Sequence, residues 1–257
     1  MNPLFLRMAR FAFATAAAIT TNSDDLRQGA LELGAAPDKF SLIIYGVDPA
    51  AIAPDRSRRP TLRAGLGVGA AAPVVLAVGR LVPKKGFDVL LRAAPAIDPA
   101  AHIVLVGDGD QREELEALAA RTGVGSRVHF VGNVARSELT DYYNMADVLA
   151  MPSVRLPIDG LNVAVVEAMS CGLPVVASRV GGNTLVVADG DNGLLVDEGD
   201  AAGLAAAINR LIADPALAQR MGRRARERVL QEFSWQRLAE EYEALFSRFT
   251  SPAVREG

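Results

Sequence analysis

The chain has 257 residues, of which 50% are hydrophobic and 22% are charged, with a formal net charge of −3 and a pI of about 5.5. That apolar fraction excludes a disordered chain, and the length is enough for one large domain or two small ones. The mild negative charge excludes a protein that attracts nucleic acid or an anionic membrane through a global basic field. A phosphate-bearing ligand would therefore need a local positive site.

Cysteine content and hydropathy indicate a cytoplasmic protein. Cys171 is the single cysteine, so no internal disulfide can form, which is typical of a reducing compartment. No apolar run in the sequence reaches the roughly 18 residues of a membrane span. We expect a cytoplasmic location, with a peripheral position at the inner face of the membrane as the alternative.

The N-terminal segment predicts an amphipathic helix. Apolar residues recur at helical spacing over residues 4–12 with arginines among them, which favours a helix over a signal peptide. "AAAITTNS" then predicts a strand leading into a helix capped at Asn22 or Ser23, and "FSLIIYGVDP" predicts a second strand. Residues 53–72 are rich in Pro, Gly and Arg, so we interpret them as a surface connection and domain boundary.

From Pro73 onward, short apolar runs alternate with segments of helical period. The runs are "PVVLAVG", "AHIVLVG", "RVHFVG", "DVLAMPS", "LPVVAS" and "NGLLV". Apolar strands alternating with helices are typical of a parallel sheet covered on both faces, so we predict an α/β fold with a Rossmann-like parallel sheet. In such sheets ligands bind outside the carboxyl ends of the strands, where the strand order reverses.

The stretch "VGRLVPKKGFDVLLRA", residues 78–93, places three cations between the first of these strands and Gly86. Gly79 permits a tight backbone turn, Arg80 offers a planar guanidinium suited to phosphate oxygens, and Lys85 offers a mobile point charge. Lys84 is the third cation. From this stretch alone, a phosphate-binding loop and an ordinary solvated loop are both open interpretations.

The stretch "DGLNVAVVEAMSCGLPVVAS", residues 159–178, sets Asp159 and Glu167 among apolar and small residues. A buried carboxylate is costly unless a partner compensates it, so we expect both acids to line a site. Asn162 is the predicted cap of a helix that begins at Val163, whose free N–H groups and dipole would suit a diphosphate. Acids on either side could then bind hydroxyl groups at the two ends of a nucleoside diphosphate sugar.

These two stretches, with "VHFVGNVARSELTDYYNMADVLAMPS" and "DGDNGLLV" in the expected order, resemble the nucleotide-sugar-binding half of the retaining glycosyltransferases of family 4, which have the GT-B fold. The resemblance implies that Arg80 and Lys85 bind the diphosphate. It further implies that Glu167 binds the ribose, that Asp159 contacts the transferred sugar, and that the backbone near Val134 faces the base.

The resemblance implies a complete set of site residues. The catalytic group would be Arg80, Lys85 and Asp159. The substrate-binding group would be Gly79, Arg80, Lys85, Val134, Asp159, Gly160, Leu161, Asn162, Val163 and Glu167. Two positions depart from the family, because Asp159 stands where a glutamate is usual and Leu185 stands where a glutamate commonly follows "VGG". No cofactor is implied, and binding of the nucleotide sugar is expected to need no metal.

The resemblance also implies a domain organisation. We expect an acceptor-side remnant with a crossover, a Rossmann-like nucleotide-sugar-binding domain and a C-terminal helix that packs towards the acceptor side, at residues 1–52, 53–232 and 233–257. An acceptor-side domain of roughly 100–150 residues would then be missing. The first and last helices would consequently expose apolar surface.

The function implied by the resemblance is hexosyl transfer from a nucleoside diphosphate sugar, with retention, in glycan or glycoconjugate biosynthesis. The acceptor would be a glycan, a lipid-linked sugar or a small molecule, and no nucleic acid partner is expected. Two alternatives stay open: a GT-B-fold nucleotide-sugar epimerase, and a nucleotide-sugar-binding module that is inactive without a partner chain. A homodimer formed through the exposed apolar surface is a further possibility.

Three other patterns have less specific interpretations. "VGDGD" would suit a metal only if Asp108 and Asp110 met a diphosphate-bound cation, and we favour a turn in which Asp110 caps the next helix. His102 and His129 are interpreted as packed or edge strand residues rather than metal ligands. The run "RMGRRARERVL" is interpreted as a solvated helix face.

Overall fold

The computed structural model describes residues 3–155 and 160–250. Its strands are β1 (Ile19–Thr21), β2 (Phe40–Leu42), β3 (Val74–Val78), β4 (His102–Val106), β5 (Val128–Gly132), β6 (Val148–Met151), β7 (Val175–Ser178) and β8 (Gly193–Val196). Its helices are α1 (Pro3–Thr15), α2 (Asp24–Glu32), α3 (Arg59–Gly65), α4 (Phe87–Ala93), α5 (Arg112–Arg121), α6 (Arg136–Met145), α7 (Val163–Ser170), α8 (Asn183–Val186), α9 (Ala201–Ala213), α10 (Pro215–Glu232) and α11 (Trp235–Thr250).

Strands β3 to β8 form one parallel sheet in the order β5-β4-β3-β6-β7-β8. Every residue of β3, β6 and β7 is buried. A strand covered on both faces does not alternate polar with apolar residues, which explains the continuous apolar runs in the sequence. The predicted Rossmann-like parallel sheet with helices on both faces is confirmed.

The strand order reverses in the middle of this sheet. The chain enters at β3, extends the sheet through β4 to β5 on one side, and then adds β6, β7 and β8 on the other side. The topological switch point is therefore the crevice between the carboxyl ends of β3 and β6. Gly79 follows β3 and Pro152 follows β6, so the loop that carries Arg80 and Lys85 and the loop that leads to α7 both leave the sheet at this crevice.

The apolar core covers both faces of the sheet. Leu76 of β3 belongs to a buried cluster that includes residues of α7 and α10, whereas Val75 belongs to a cluster that includes residues of α4, α5 and α9. Neighbouring residues of β3 thus face opposite layers, as the period of a strand requires. Burial of one such side chain contributes about 1.5–3 kcal/mol, so this two-sided packing fixes the positions of the strand ends.

The first helices and strands stand outside the large sheet. β1 and β2 pair in parallel to form a separate two-stranded sheet. Ser23, one of the two predicted caps, accepts a hydrogen bond from the Leu26 N–H at 3.1 Å and begins α2. α1 is the predicted helix, and several of its large apolar side chains are exposed, among them Phe5 at 55% and Phe11 at 71%.

Backbone hydrogen bonds join this N-terminal part to the last helix. The Val47 N–H donates to the Phe233 carbonyl at 2.8 Å, and the Trp235 N–H donates to the Val47 carbonyl at 2.9 Å. α11 also exposes large apolar side chains, among them Trp235 at 57% and Phe246 at 60%. In the part of the chain that the structure describes, no helix combines the length and apolar character needed to cross a bilayer.

The predicted surface connection at residues 53–72 is wrong in one respect. It contains α3, and Arg63 of that helix is only 2% exposed. The Arg63 guanidinium lies 2.7 Å from the Asp147 carboxylate and donates to the Met145 carbonyl at 3.0 Å. An arginine can be buried where each lost water contact is replaced by a carboxylate or carbonyl acceptor.

Candidate functional site

Two glycines bring the loop after β3 against the switch point. Gly79 has a φ of 152°, and a Cβ there would lie 3.7 Å from Cδ and Cε of Lys85, so the lysine stem folds back over the end of β3. Gly86 has a φ of 64°, and a Cβ there would lie 1.9 Å from the Pro152 carbonyl oxygen. Residue 86 must have a positive φ and no Cβ, and only glycine satisfies both conditions. Gly86 therefore lets the turn that carries Lys85 contact the loop after β6.

The two predicted phosphate-binding cations have different surroundings. Arg80 is exposed, and its side chain forms no hydrogen bond or ion pair within the described part of the chain. Lys85 is half-buried, and its ammonium donates to the side-chain oxygen of Asn162. Arg80 can therefore reorient towards an incoming anion, whereas Lys85 is held beside the start of α7.

Asn162 connects this lysine to a buried polar network. The Asn162 amide nitrogen donates to the Ser153 hydroxyl and to the Asn183 side-chain oxygen, both at 3.1 Å. The Asn183 amide nitrogen donates in turn to the Ser178 carbonyl at 3.1 Å. Asn162, Asn183, Ser153 and Ser178 are each 3% exposed or less. Side chains after three neighbouring strands, β3, β6 and β7, are thereby joined at one edge of the sheet.

The predicted cap at Asn162 is correct in position and wrong in its interaction. α7 begins at Val163 as expected, but the Asn162 side chain does not cap it, because its amide is committed to the network. The first N–H groups of a helix have no intrahelical acceptor and lie at the positive end of its dipole. The Val165 N–H donates to the Asn162 carbonyl at 2.9 Å, and the Asn162 side chain takes none of these donors, which suits an anion at this position.

Glu167 is buried in α7 with two protein partners. Its residue exposure is 3%, which confirms the expectation of a buried acid beside a core helix. Oε1 accepts a hydrogen bond from Nη2 of Arg136 at 2.7 Å, and Oε2 accepts one from the Tyr143 hydroxyl at 2.7 Å. Burial, and then the charge of Glu167, raise the pKa of Tyr143 well above its ordinary value, so the hydroxyl stays protonated and donates.

The loop before α7 contacts the N-terminal part of the chain and the loop after β7. The Leu161 N–H lies 3.4 Å from the side-chain oxygen of Asn22, and the Gly182 N–H donates to the Gly160 carbonyl at 3.3 Å. Asp159, the predicted sugar-contacting acid, lies outside the described residues.

Val134 lies between β5 and α6 in the sequence, is half-buried and packs against the core. That its backbone faces the base stays a prediction. Of the predicted site residues, the structure links Lys85 directly to Asn162, and places Gly79 beside Lys85. Their roles in binding stay predictions, as do those of Glu167 and the remaining members of the set.

The prediction that Asp110 caps the next helix is wrong. α5 begins at Arg112 with Gln111 in the cap position and without a side-chain cap. The Asp108 carboxylate instead accepts a hydrogen bond from the Gly109 N–H at 2.8 Å and lies 3.6 Å from Arg112. Across residues 3–155 and 160–250, no group of three or more His, Cys, Asp or Glu side chains is arranged to hold a metal ion.

The two histidines contact each other in neighbouring strands. Nδ1 of His102 and Nε2 of His129 are 2.9 Å apart, at the edge of the sheet where β4 and β5 begin. Burial lowers the pKa of both rings below the ordinary value, so both favour the neutral form, in which one ring can donate to the other. The interpretation of packed strand histidines agrees with this contact.

A cavity of about 980 Å³ lies at the opposite edge of the sheet. It is lined by residues that precede β3 and β7, such as Pro73 and Pro174, and by Arg223 and Arg226 of α10. Two arginines of the run interpreted as a solvated helix face therefore line this cavity. None of the described members of the predicted site is among its lining residues, and we place the candidate site at the carboxyl ends of the strands because the buried polar network and Glu167 are there.

Sequence reasoning missed four side chains of the candidate site. Arg136, Tyr143, Ser153 and Asn183 contact predicted site residues directly, at 2.7 to 3.1 Å. Tyr143 has the helical spacing of a core residue, and that pattern gives no sign of its hydroxyl partner. Ser153 follows an apolar strand, a position that could have marked it, because ligand-binding residues lie after strands in this fold class.

Comparison with known proteins identifies the family. The chain matches the model described as "Glycosyl transferases group 1" over residues 58–228. The GDP-mannose-dependent alpha-(1-6)-phosphatidylinositol monomannoside mannosyltransferase of Mycolicibacterium smegmatis is 39% identical over 206 residues, which are 76% of this chain and 54% of that protein. The D-inositol 3-phosphate glycosyltransferase of Acidothermus cellulolyticus is 37% identical over 234 residues, which are 86% of this chain and 51% of that protein. The chain thus spans about half the length of these curated relatives.

A solved structure extends the similarity to nearly the whole described fold. The crystal structure of Anabaena Alr3699/HepE in complex with UDP and glucose matches with a TM-score of 0.88 and 28% identity, covering 96% of this chain and 68% of that one. Together with the family model and the relatives above 30% identity, this similarity shows that the chain belongs to the group 1 glycosyl transferases and has the Rossmann-like α/β fold of GT-B enzymes.

Proposed function

We propose that this chain is the donor-binding half of a glycosyltransferase that moves a hexosyl group from a nucleoside diphosphate sugar to an acceptor with retention of anomeric configuration. The observation behind the proposal is the pairing of a helix start that the Asn162 side chain does not cap, held beside Lys85, with the buried carboxylate of Glu167 on the same helix. The first feature suits an anion and the second suits hydroxyl donors. A nucleoside diphosphate sugar has both, with the anion in the middle.

The diphosphate would bind where β3 ends and α7 begins. Arg80 is exposed without a partner in the described chain, so it can form a paired contact with phosphate oxygens. Lys85 and the N–H groups at the start of α7 add positive potential from the protein side. As the bond to the sugar breaks, negative charge grows on the diphosphate, and donors already in place stabilise that charge.

The two ends of the donor would be held by different elements. Glu167 is the candidate for the ribose hydroxyls, and the backbone near Val134 is the candidate for the base. Asp159, with Gly160 and Leu161 beside it, is the candidate for the transferred sugar. If Asp159 has that role, Asp159→Ala should weaken binding of a nucleotide sugar more than binding of the matching nucleoside diphosphate. Equal weakening of both would contradict the assignment.

The first test is a screen of donors by thermal unfolding. One relative is named as GDP-mannose-dependent and one structural neighbour holds UDP and glucose, so the panel should include UDP, GDP and ADP sugars. A ligand at 100 times its Kd adds about 2.7 kcal/mol, which at about 2–4 °C per kcal/mol raises Tm by about 5–11 °C. A panel in which no nucleotide sugar raises Tm would contradict donor binding.

The second test concerns the reaction. We expect the chain alone to bind donor and to release little nucleoside diphosphate with any acceptor, because acceptor positioning and water exclusion depend on a closed cleft. Transfer should appear when a chain supplying the acceptor-side domain of a relative is added, and NMR of the product should show a retained anomeric configuration. An inverted product would contradict the retaining mechanism. Robust transfer by this chain alone would contradict the proposal that it is only the donor-binding half.

A further inference from the structure

The Glu167 carboxylate has one hydrogen-bond donor buried in the core and one exposed to solvent. Tyr143, which donates to Oε2, is 1% exposed and belongs to the core cluster, so its ring cannot move without disturbing that packing. Arg136, which contacts Oε1, has a side chain that is 70% exposed. The carboxylate is therefore held from the core by tyrosine and approached from solvent by arginine.

We infer that Tyr143 is a positioning residue for donor recognition: its hydroxyl fixes the Glu167 carboxylate in the orientation that receives the ribose diol. This inference rests on the proposed function, in which Glu167 binds ribose. An unheld glutamate would sample several rotamers and would lose that freedom on binding. A hydrogen bond from a packed ring removes that loss in advance, and pre-organised contacts of this kind raise affinity.

The number of acceptor sites on the carboxylate agrees with this arrangement. An ionised carboxylate offers about four lone-pair sites. Tyr143 and Arg136 each occupy one in the structure, which leaves about two for the two hydroxyls of a ribose. The exposed Arg136 can swing aside as ligand enters, whereas Tyr143 remains, so the two partners have separate roles.

The neighbouring tyrosine provides a matched control. Tyr142 precedes Tyr143 in α6, is half-buried, and forms no side-chain hydrogen bond within the described part of the chain. Tyr142→Phe and Tyr143→Phe therefore delete the same atom from adjacent residues, and only the second deletion removes a donor to Glu167.

The experiment measures the preference for ribose. Calorimetric titrations give the Kd of UDP, GDP and ADP, and of their 2′,3′-dideoxy counterparts, for wild type, Tyr142→Phe and Tyr143→Phe. Wild type and Tyr142→Phe should bind the preferred ribonucleotide more tightly than its dideoxy form. In Tyr143→Phe the ribonucleotide should weaken by about 3- to 10-fold, the effect of one hydrogen bond, while the dideoxy form is unchanged.

The outcomes separate this inference from the proposed function. A ribose preference in wild type that persists in Tyr143→Phe, or a variant that loses both ligands equally, overturns the positioning role and leaves Glu167 as the ribose ligand. The absence of any preference in wild type removes Glu167 as the ribose ligand, and the inference with it.

A second variant pair tests the inference in a background where Tyr143→Phe does not deprive a buried carboxylate of a donor, which removes the main reason for that variant not to fold. Glu167→Gln alone is compared with Glu167→Gln combined with Tyr143→Phe. Because Tyr143 is argued to act through Glu167, the second substitution should cause no further loss of ribose preference. An additional loss would show that Tyr143 acts elsewhere and would overturn the inference.

Discussion

Replacing Lys85 by methionine tests the centre of the candidate site. The Lys85 ammonium donates to Asn162, and its stem folds over Gly79. Lys85→Met keeps that apolar stem and deletes the charge. If Lys85 binds the diphosphate, the lost hydrogen bond to a charged group costs about 1.5–3 kcal/mol of binding free energy. That loss raises the Kd for a nucleoside diphosphate by about 10- to 150-fold.

The same substitution should lower stability. Asn162 is 3% exposed, so its side-chain oxygen would lose a donor that water cannot easily replace. A buried polar atom left unpaired costs about 1–3 kcal/mol of the free energy of unfolding. At about 2–4 °C per kcal/mol for a chain of this size, Tm should fall by about 2–12 °C. Arg80→Ala should weaken diphosphate binding without this fall, because Arg80 is exposed and has no partner in the described chain.

The assay combines calorimetric titration with thermal unfolding, and Lys84→Met is the control. Lys84 lies in the same turn, Pro83–Lys85, so its removal changes net charge equally. Equal losses of affinity in Lys84→Met and Lys85→Met would show that the turn acts only through its total charge. That result would refute a specific diphosphate contact by Lys85. An unchanged Tm in Lys85→Met would refute the contribution of the contact with Asn162.

Three further outcomes are expected. Titration of a nucleoside diphosphate with and without a chelator should give the same Kd, because cationic side chains and a helix start supply the positive potential; a large loss in chelator would indicate a metal site. Asp147→Ala should lower the free energy of unfolding by about 2–4 kcal/mol in denaturant titrations, since it leaves the buried Arg63 without its carboxylate partner. The loss should be smaller than for a fully buried ion pair because the Asp147 side chain is partly exposed. The comparison is Asp141, whose partner Arg58 has a side chain that is 59% exposed and so can return to water, and Asp141→Ala should cost about 1 kcal/mol or less. Burial raises the pKa of Cys171 to about 12, so iodoacetamide at pH 8 should modify it only after unfolding; rapid labelling of folded protein would contradict this.

The fold was largely predictable because its signals are local. Each strand of the large sheet is a continuous apolar run, and two-sided burial produces that pattern whatever the partners are. The start of α7 and the burial of Glu167 were predictable for the same reason, since both follow from the contrast between one polar residue and its apolar neighbours.

Side-chain partners were less predictable because they lie far apart in sequence. Asn162 has a cap residue's position, yet its amide bonds Lys85, 77 residues earlier, and Asn183, 21 residues later. Arg63 is in a stretch whose composition indicates a surface loop, and its carboxylate partner is 84 residues away. Periodicity reports which face of an element is buried, but it does not report which polar group will meet another across the fold.

The contact between Val47 and the start of α11 bears on how the molecule can move. The chain leaves the small two-stranded sheet near Val47 and turns into α11 beside it, so two connections run side by side, joined by backbone hydrogen bonds. Tyr242 of α11 lines the same small cavity as Phe13 and Phe40, which places this helix with the small sheet. A rotation of the small sheet relative to the large one would bend both connections at one place and take α11 with it. Because the two connections are hydrogen-bonded to each other, they would have to bend together in such a rotation.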